Sequence, residues 1–118
     1  MNNHYLYLLE ISTYKQIGGQ IKEEVVALKV GITNNPSRRL LEIQSGTPFK
    51  VKPIRILKGN KETCRYCETQ IKKRCRGYKL SERLFKSGYS ETMDIRYQEW
   101  LLNLYNQLAE EMEEVTIS

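Results

Sequence analysis

The chain has 118 residues, 40% of them hydrophobic and 28% charged, with a net charge of +5. That length leaves room for one core, that composition excludes disorder over most of the chain, and no apolar run approaches the ~20 residues of a membrane span. Charge is uneven: residues 1–46 carry five basic and four acidic side chains, residues 47–86 thirteen and three, and residues 87–118 one and seven. The cationic middle third is therefore the part that would attract a polyanion, nucleic acid being the commonest. Residues 1–4 show no charged-then-apolar leader, which predicts a cytoplasmic protein, in the host cytoplasm if phage-encoded.

Residues 4–11 read as a first strand, in which Tyr5, Tyr7, Leu9 and Ile11 share a face. The polar stretch 12–24, with Gly18 and Gly19 at its centre, predicts a long hairpin loop whose ends extend the ladder into a second strand over 25–32. Lys29 is the anomaly of that strand, because a charge among small and aliphatic neighbours must reach water or meet a partner. Thr33, Asn34, Asn35 and Pro36 then break the pattern with turn formers. Asn35 suits the cap of a first helix, Pro36 its first position, and Gly46 is expected to stop it in a left-handed conformation. Residues 49–57, with alternating cations and Pro53, suit a strand at a sheet edge.

Asn60 predicts the cap of a second helix running to residue 74 or 75. At ~100° per residue, Cys64, Cys67, Ile71 and Cys75 form its core stripe, and Glu68 falls within the same span. An acid there is costly unless something compensates it. The cysteines read as core rather than as ligands: a fourth ligand and a knuckle are missing, and the single histidine, His4, precedes the first strand, so no structural zinc is expected. Residues 81–86 suggest a short helix and 89–93 an extended segment. Asp94 then caps a last helix over about 94–114, whose Tyr97, Trp100, Leu101, Leu104, Tyr105, Leu108 and Met112 face the core. The chain thus reads as a single α+β domain over residues 1–118.

Tyr5-Leu6-Tyr7 on the first strand, Lys29-Val30-Gly31 on the second and Arg39 eight residues after that glycine resemble the motifs of the GIY-YIG nuclease superfamily. The resemblance is greatest to its small phage and bacterial subgroup, in which lysine opens the second motif, and it extends over residues 4 to about 93. It implies a three-stranded antiparallel sheet flanked by helices. By position it implies a site of Tyr7, Lys29, Arg39 and a metal-binding Glu68, with Tyr5 and Glu91 as second-rank members and Gly31 allowing close backbone approach.

The implied activity is metal-dependent hydrolysis of DNA phosphodiesters, by an endonuclease or nickase. Glu68 would hold one Mg²⁺ or Mn²⁺, Arg39 the scissile phosphate through its planar donors, and Tyr7 the attacking water, with Lys29 favouring the phenolate. Either Tyr7 or Lys29 could be the base. Arg38, Lys50, Lys52, Arg55, Arg65 and Lys72 are the candidate contacts to nucleic acid. Two departures stand out: the first motif has no glycine, and Ile43 occupies a position often held by histidine. Competing readings are a non-cleaving DNA-binding module of the same fold, regulatory or anti-host, and a protein-interaction domain using the acidic last helix. A specific DNA interface buries ~1,000 Å² or more of protein, so specificity calls for a homodimer or a separate partner.

Overall fold

In a computed structural model, residues 3–75 and 92–117 are described. Two long strands, β1 (Asn3–Ile17) and β2 (Gln20–Thr33), form an antiparallel hairpin that continues to a two-residue turn. Gly18 and Gly19 have φ of +56° and +82°. Positive φ at both turn positions matches the right-handed strand twist, which explains why glycines stand there. The expected polar loop is therefore a β-ribbon, with Tyr14 through Glu24 exposed.

β2 leads into helix α1 (Pro36–Ser45), whose first turn is capped by Asn35 Oδ1 accepting from the Arg38 amide at 3.2 Å. Gly46 does end the helix, but with φ −93° instead of the left-handed conformation expected. Strand β3 (Lys50–Asn60) pairs with the other edge of β1. Its register shifts between Leu8, opposite Arg55, and Leu9, opposite Pro53, so Ile54 is an extra residue beside a proline that has no amide to donate. Asn60 Oδ1 accepts from the Thr63 amide at 2.7 Å and starts helix α2 (Lys61–Arg74).

Two predictions are corrected beyond α2. The sheet has five strands in the order β4-β2-β1-β3-β5, where three were expected. β4 (Thr92–Met93) adds to Leu28 and Lys29, and β5 (Glu113–Glu114) adds to Leu57 and Lys58. β4 falls within the segment expected to be extended over 89–93, but two residues cannot display a period of two, so its pairing and the whole of β5 carry no sequence signature. The last helix is also shorter than the predicted 94–114. Asp94 caps a single 3₁₀ turn (Ile95–Tyr97), helix α3 spans Gln98–Leu108, and of the glutamates expected at its acidic end (Glu110, Glu111, Glu113 and Glu114) the last two lie instead in β5. The predicted helix over 81–86, and Glu91, lie outside the described residues.

The strand alternation divides the core into two layers. On one face Leu6, Leu8, Leu28, Val30 and Leu57 pack against Cys64, Cys67 and Ile71 of α2 and Leu101 and Tyr105 of α3. On the other, Tyr7, Leu9, Ile11, Ala27 and Ile56 pack against Ile43 of α1, with Val115 and Ile117 from the C-terminal segment laid beside them. Among the described residues no helix is long and apolar enough to cross a membrane.

Candidate active site

Register brings Tyr7 and Lys29 together. Tyr7 stands opposite Gly31 and Leu9 opposite Lys29, so the lysine is the diagonal cross-strand neighbour of the tyrosine on the α1-covered face. Lys29 Nζ lies 5.8 Å from the centre of the Tyr7 ring, within cation–π range. Both are buried, with Lys29 0% and Tyr7 3% exposed. A fully buried lysine in a strand of a small domain is uncommon, and its other cross-strand neighbour, Thr92, is also buried.

Gly31 has a different use from the one expected of it. A Cβ on this residue would stand 2.5 Å from Tyr7 Cζ and 3.1 Å from Cε1, with the phenol oxygen closer still. The space that glycine leaves is taken by the Tyr7 ring, so Gly31 fixes where the phenol lies. The strand itself is anchored from α3, where Tyr105 donates its hydroxyl to the Tyr7 carbonyl oxygen at 2.9 Å. Burial holds the Tyr105 phenol well above its ordinary pKa, with smaller pushes from Cys67, Tyr7, Cys64 and Glu68. The same hydroxyl is thus in electrostatic reach of both Tyr7 and Glu68. Tyr105 carried no functional signal in the sequence, because it falls on the apolar stripe of its helix.

Arg39 is on α1, which packs against the Tyr7 face, and its side chain is partly exposed. Glu42 accepts from Arg39 Nη1 at 3.2 Å and also pairs with Arg38 Nε at 3.3 Å. Glu68 lies on α2, over the opposite face of the sheet. Its side chain is 13% exposed, with Lys72 Nζ 3.6 Å away. Tyr7, Lys29 and Arg39 therefore belong to one side of the sheet and Glu68 to the helix layer on the other.

Glu68 offers one hard carboxylate, which suits Mg²⁺ or Mn²⁺ when waters and a phosphate complete the shell. Among the described residues, no group of three or more His, Cys, Asp or Glu side chains could enclose a metal by itself. Burial raises the pKa of all three thiols, Cys64 and Cys75 to about 11, so in the absence of a metal they are protonated at neutral pH.

The proposed nucleic-acid cations fall into two groups. Lys52 and Arg65 are exposed. Lys50 is tied to Glu23 on the ribbon at 3.2 Å, and that carboxylate, by its hydrogen bond, raises the lysine pKa. Arg55 is held most fully, forking onto both carboxylate oxygens of Glu114 and donating to Asn106 Oδ1 at 2.6 Å. Tyr5 lines a groove of about 340 Å³ with Pro36, Ser37, Lys58 and the segment from Val115 to Ile117. Lys58 and that segment were not among the expected site residues. Residues 115–117 lie beyond the helix expected over about 94–114, and no local pattern places them on the sheet.

No curated protein and no solved structure matches the chain. A family model does, over residues 4–115, and the chain belongs to the T5orf172 domain family, which is related to GIY-YIG and HNH-like nuclease-associated domains.

Proposed function

We propose that the protein is a divalent-metal-dependent DNA endonuclease or nickase of the GIY-YIG type. The observation that carries this reading is the buried Lys29 held over Tyr7, with Gly31 fixing the phenol beneath it. Burying an ammonium there costs several kcal/mol in desolvation. A phosphodiester hydrolase has a use for that charge, because a cation beside a phenol favours its proton-accepting form. Tyr7 then orients or deprotonates the attacking water, and Arg39 turns its planar donors from Glu42 to the phosphate. Glu68 is the carboxylate proposed to hold Mg²⁺ or Mn²⁺, an ion that supplies charge neutralisation on the phosphate when bound. The substrate is DNA, met in the cytoplasm.

One observation favours a second reading, a DNA-binding module that does not cut. Glu68 is on the layer opposite Tyr7, and Tyr7 and Lys29 are almost wholly enclosed. Supercoiled plasmid incubated with Mg²⁺ or Mn²⁺ separates the two. Cleavage by the wild type that is lost in Glu68→Ala and Arg39→Ala supports the enzyme. Binding that weakens steeply with salt, without any nicking, supports the module.

A further inference from the structure

The C-terminal segment runs from α3 around the edge of the sheet onto the face that carries Tyr7. Glu113 and Glu114 pair as β5 with Lys58 and Leu57, and the Val115 amide donates to the Ile56 carbonyl at 3.0 Å. Glu114 takes the fork of Arg55, and Glu113 stands 4.0 Å from Lys58. Val115 and Ile117 then rest against the Tyr7 cluster, and with Thr116 they wall the groove that holds Tyr5, Ser37 and Lys58. An acidic strand thus covers Arg55 on the α3 face of β3 and Lys58 on the Tyr7 face, where it also walls one side of the candidate site.

Two features make this contact one that can be exchanged. The carboxylate of Glu114 uses the planar guanidinium fork that a phosphate would also use, so the two anions compete for the same donors. The strand is also short, and beyond the Arg55 fork and the contacts of Val115 and Ile117 little holds it. Its ladder is two residues long, Glu113, Glu114 and Thr116 are exposed, and the Lys58 pair is at the limit of ion-pair distance. Segments with few buried contacts open at low free energy while the rest of a domain stays folded.

The geometry points to an acidic strap: residues 113–117 cover the β3 edge, with Arg55 on its α3 face and Lys58 on its Tyr7 face, and the DNA backbone displaces them to reach these two cations. This rests on the nucleic-acid reading above and adds a site and a regulatory contact to it. Glutamine keeps the size and the backbone pairing of each glutamate, and denaturant unfolding of the glutamine variants verifies that they are folded.

The test compares Glu113→Gln/Glu114→Gln with a charge-matched control, Glu99→Gln/Glu110→Gln, which alters exposed acids elsewhere. Affinity for a fluorescent DNA duplex is measured without divalent ions, over a range of salt from about 50 mM. Each phosphate contact is worth on the order of tenfold at that salt, through counterion release. The strap variant is expected to bind at least about tenfold tighter than wild type and to steepen the salt slope by about two. The control should gain much less. Equal gains in both variants, or none in the strap variant, overturn the proposal. Hydrogen exchange gives a second readout on the unmodified chain: duplex DNA should speed exchange of the Val115 amide and leave the β1–β2 ladder unchanged. Slower or unaltered exchange at Val115 refutes the strap. If wild type and both variants fail to bind DNA at any salt, the nucleic-acid reading itself falls, and the strap with it.

Discussion

Replacing Gly31 with alanine tests how the site is held. The added Cβ would stand 2.5 Å from Tyr7 Cζ and 3.1 Å from Cε1, whereas ordinary carbon contacts are about 3.5–4.0 Å. The ring must retreat by about 1 Å, and it is 3% exposed, enclosed on a packed face with Lys29 over it. Overpacking of this kind costs about 1–3 kcal/mol, and the rigid ring puts Gly31→Ala near the top of that range. The sign should reverse once the ring is removed. In a Tyr7→Leu background the clash is gone, and alanine in a strand is worth roughly 0.5–1 kcal/mol more than glycine. The coupling between the two sites should therefore be about 3 kcal/mol, measured by urea denaturation of the four proteins in a double-mutant cycle. A cost below about 0.5 kcal/mol for Gly31→Ala alone, or the same cost in both backgrounds, would refute the view that glycine is required by the phenol.

Other outcomes follow from the core. Tyr105→Phe removes the hydroxyl that Tyr7's carbonyl accepts from, and should cost about 1–3 kcal/mol by denaturant unfolding; a loss under a few tenths would mean that the carbonyl does not need it. Stability should also fall in alkali. Cys64 and Cys75 have folded pKa values near 11 against an ordinary 9.0, so between those limits the unfolded chain ionises while the fold keeps its thiols protonated. Their contribution is complete below about pH 9 and declines as pH rises towards 11, by at most ~1.4 kcal/mol per unit for each thiol. A denaturation midpoint that stays constant from pH 7 to 10.5 would contradict this.

Local chemistry was legible at the helix starts and along the core stripe, where a residue's role depends on its near neighbours in the chain, though not in the conformation of Gly46. Asn35 and Asn60 cap the helices they were expected to cap, and the Cys64, Cys67, Ile71 stripe is buried. Lys29 stood out from sequence alone because its strand is otherwise aliphatic, and it is fully buried. What escaped was set by long-range pairing. β4 and β5 exist because Lys29 and Lys58 have partners about 60 residues away, which no period reveals. Arg55 was read as a free cation of an edge strand, yet its partner Glu114 arrives only through the turn after α3. Helical angle put Glu68 on the core side of α2 but could not say which face of the sheet that side meets.

The central claim is that Lys29 and Tyr7 form a reactive pair rather than a packing one, and the rate of plasmid nicking by Lys29→Met tests it most directly. Methionine retains the length of the apolar stem and removes the ammonium with its charge and its N–H donors. With cooperative unfolding used to verify the fold, the account predicts a loss of at least about 100-fold in the Mg²⁺- or Mn²⁺-dependent rate, the usual scale for a group acting on proton transfer. A folded Lys29→Met protein that nicks plasmid as fast as wild type would contradict it.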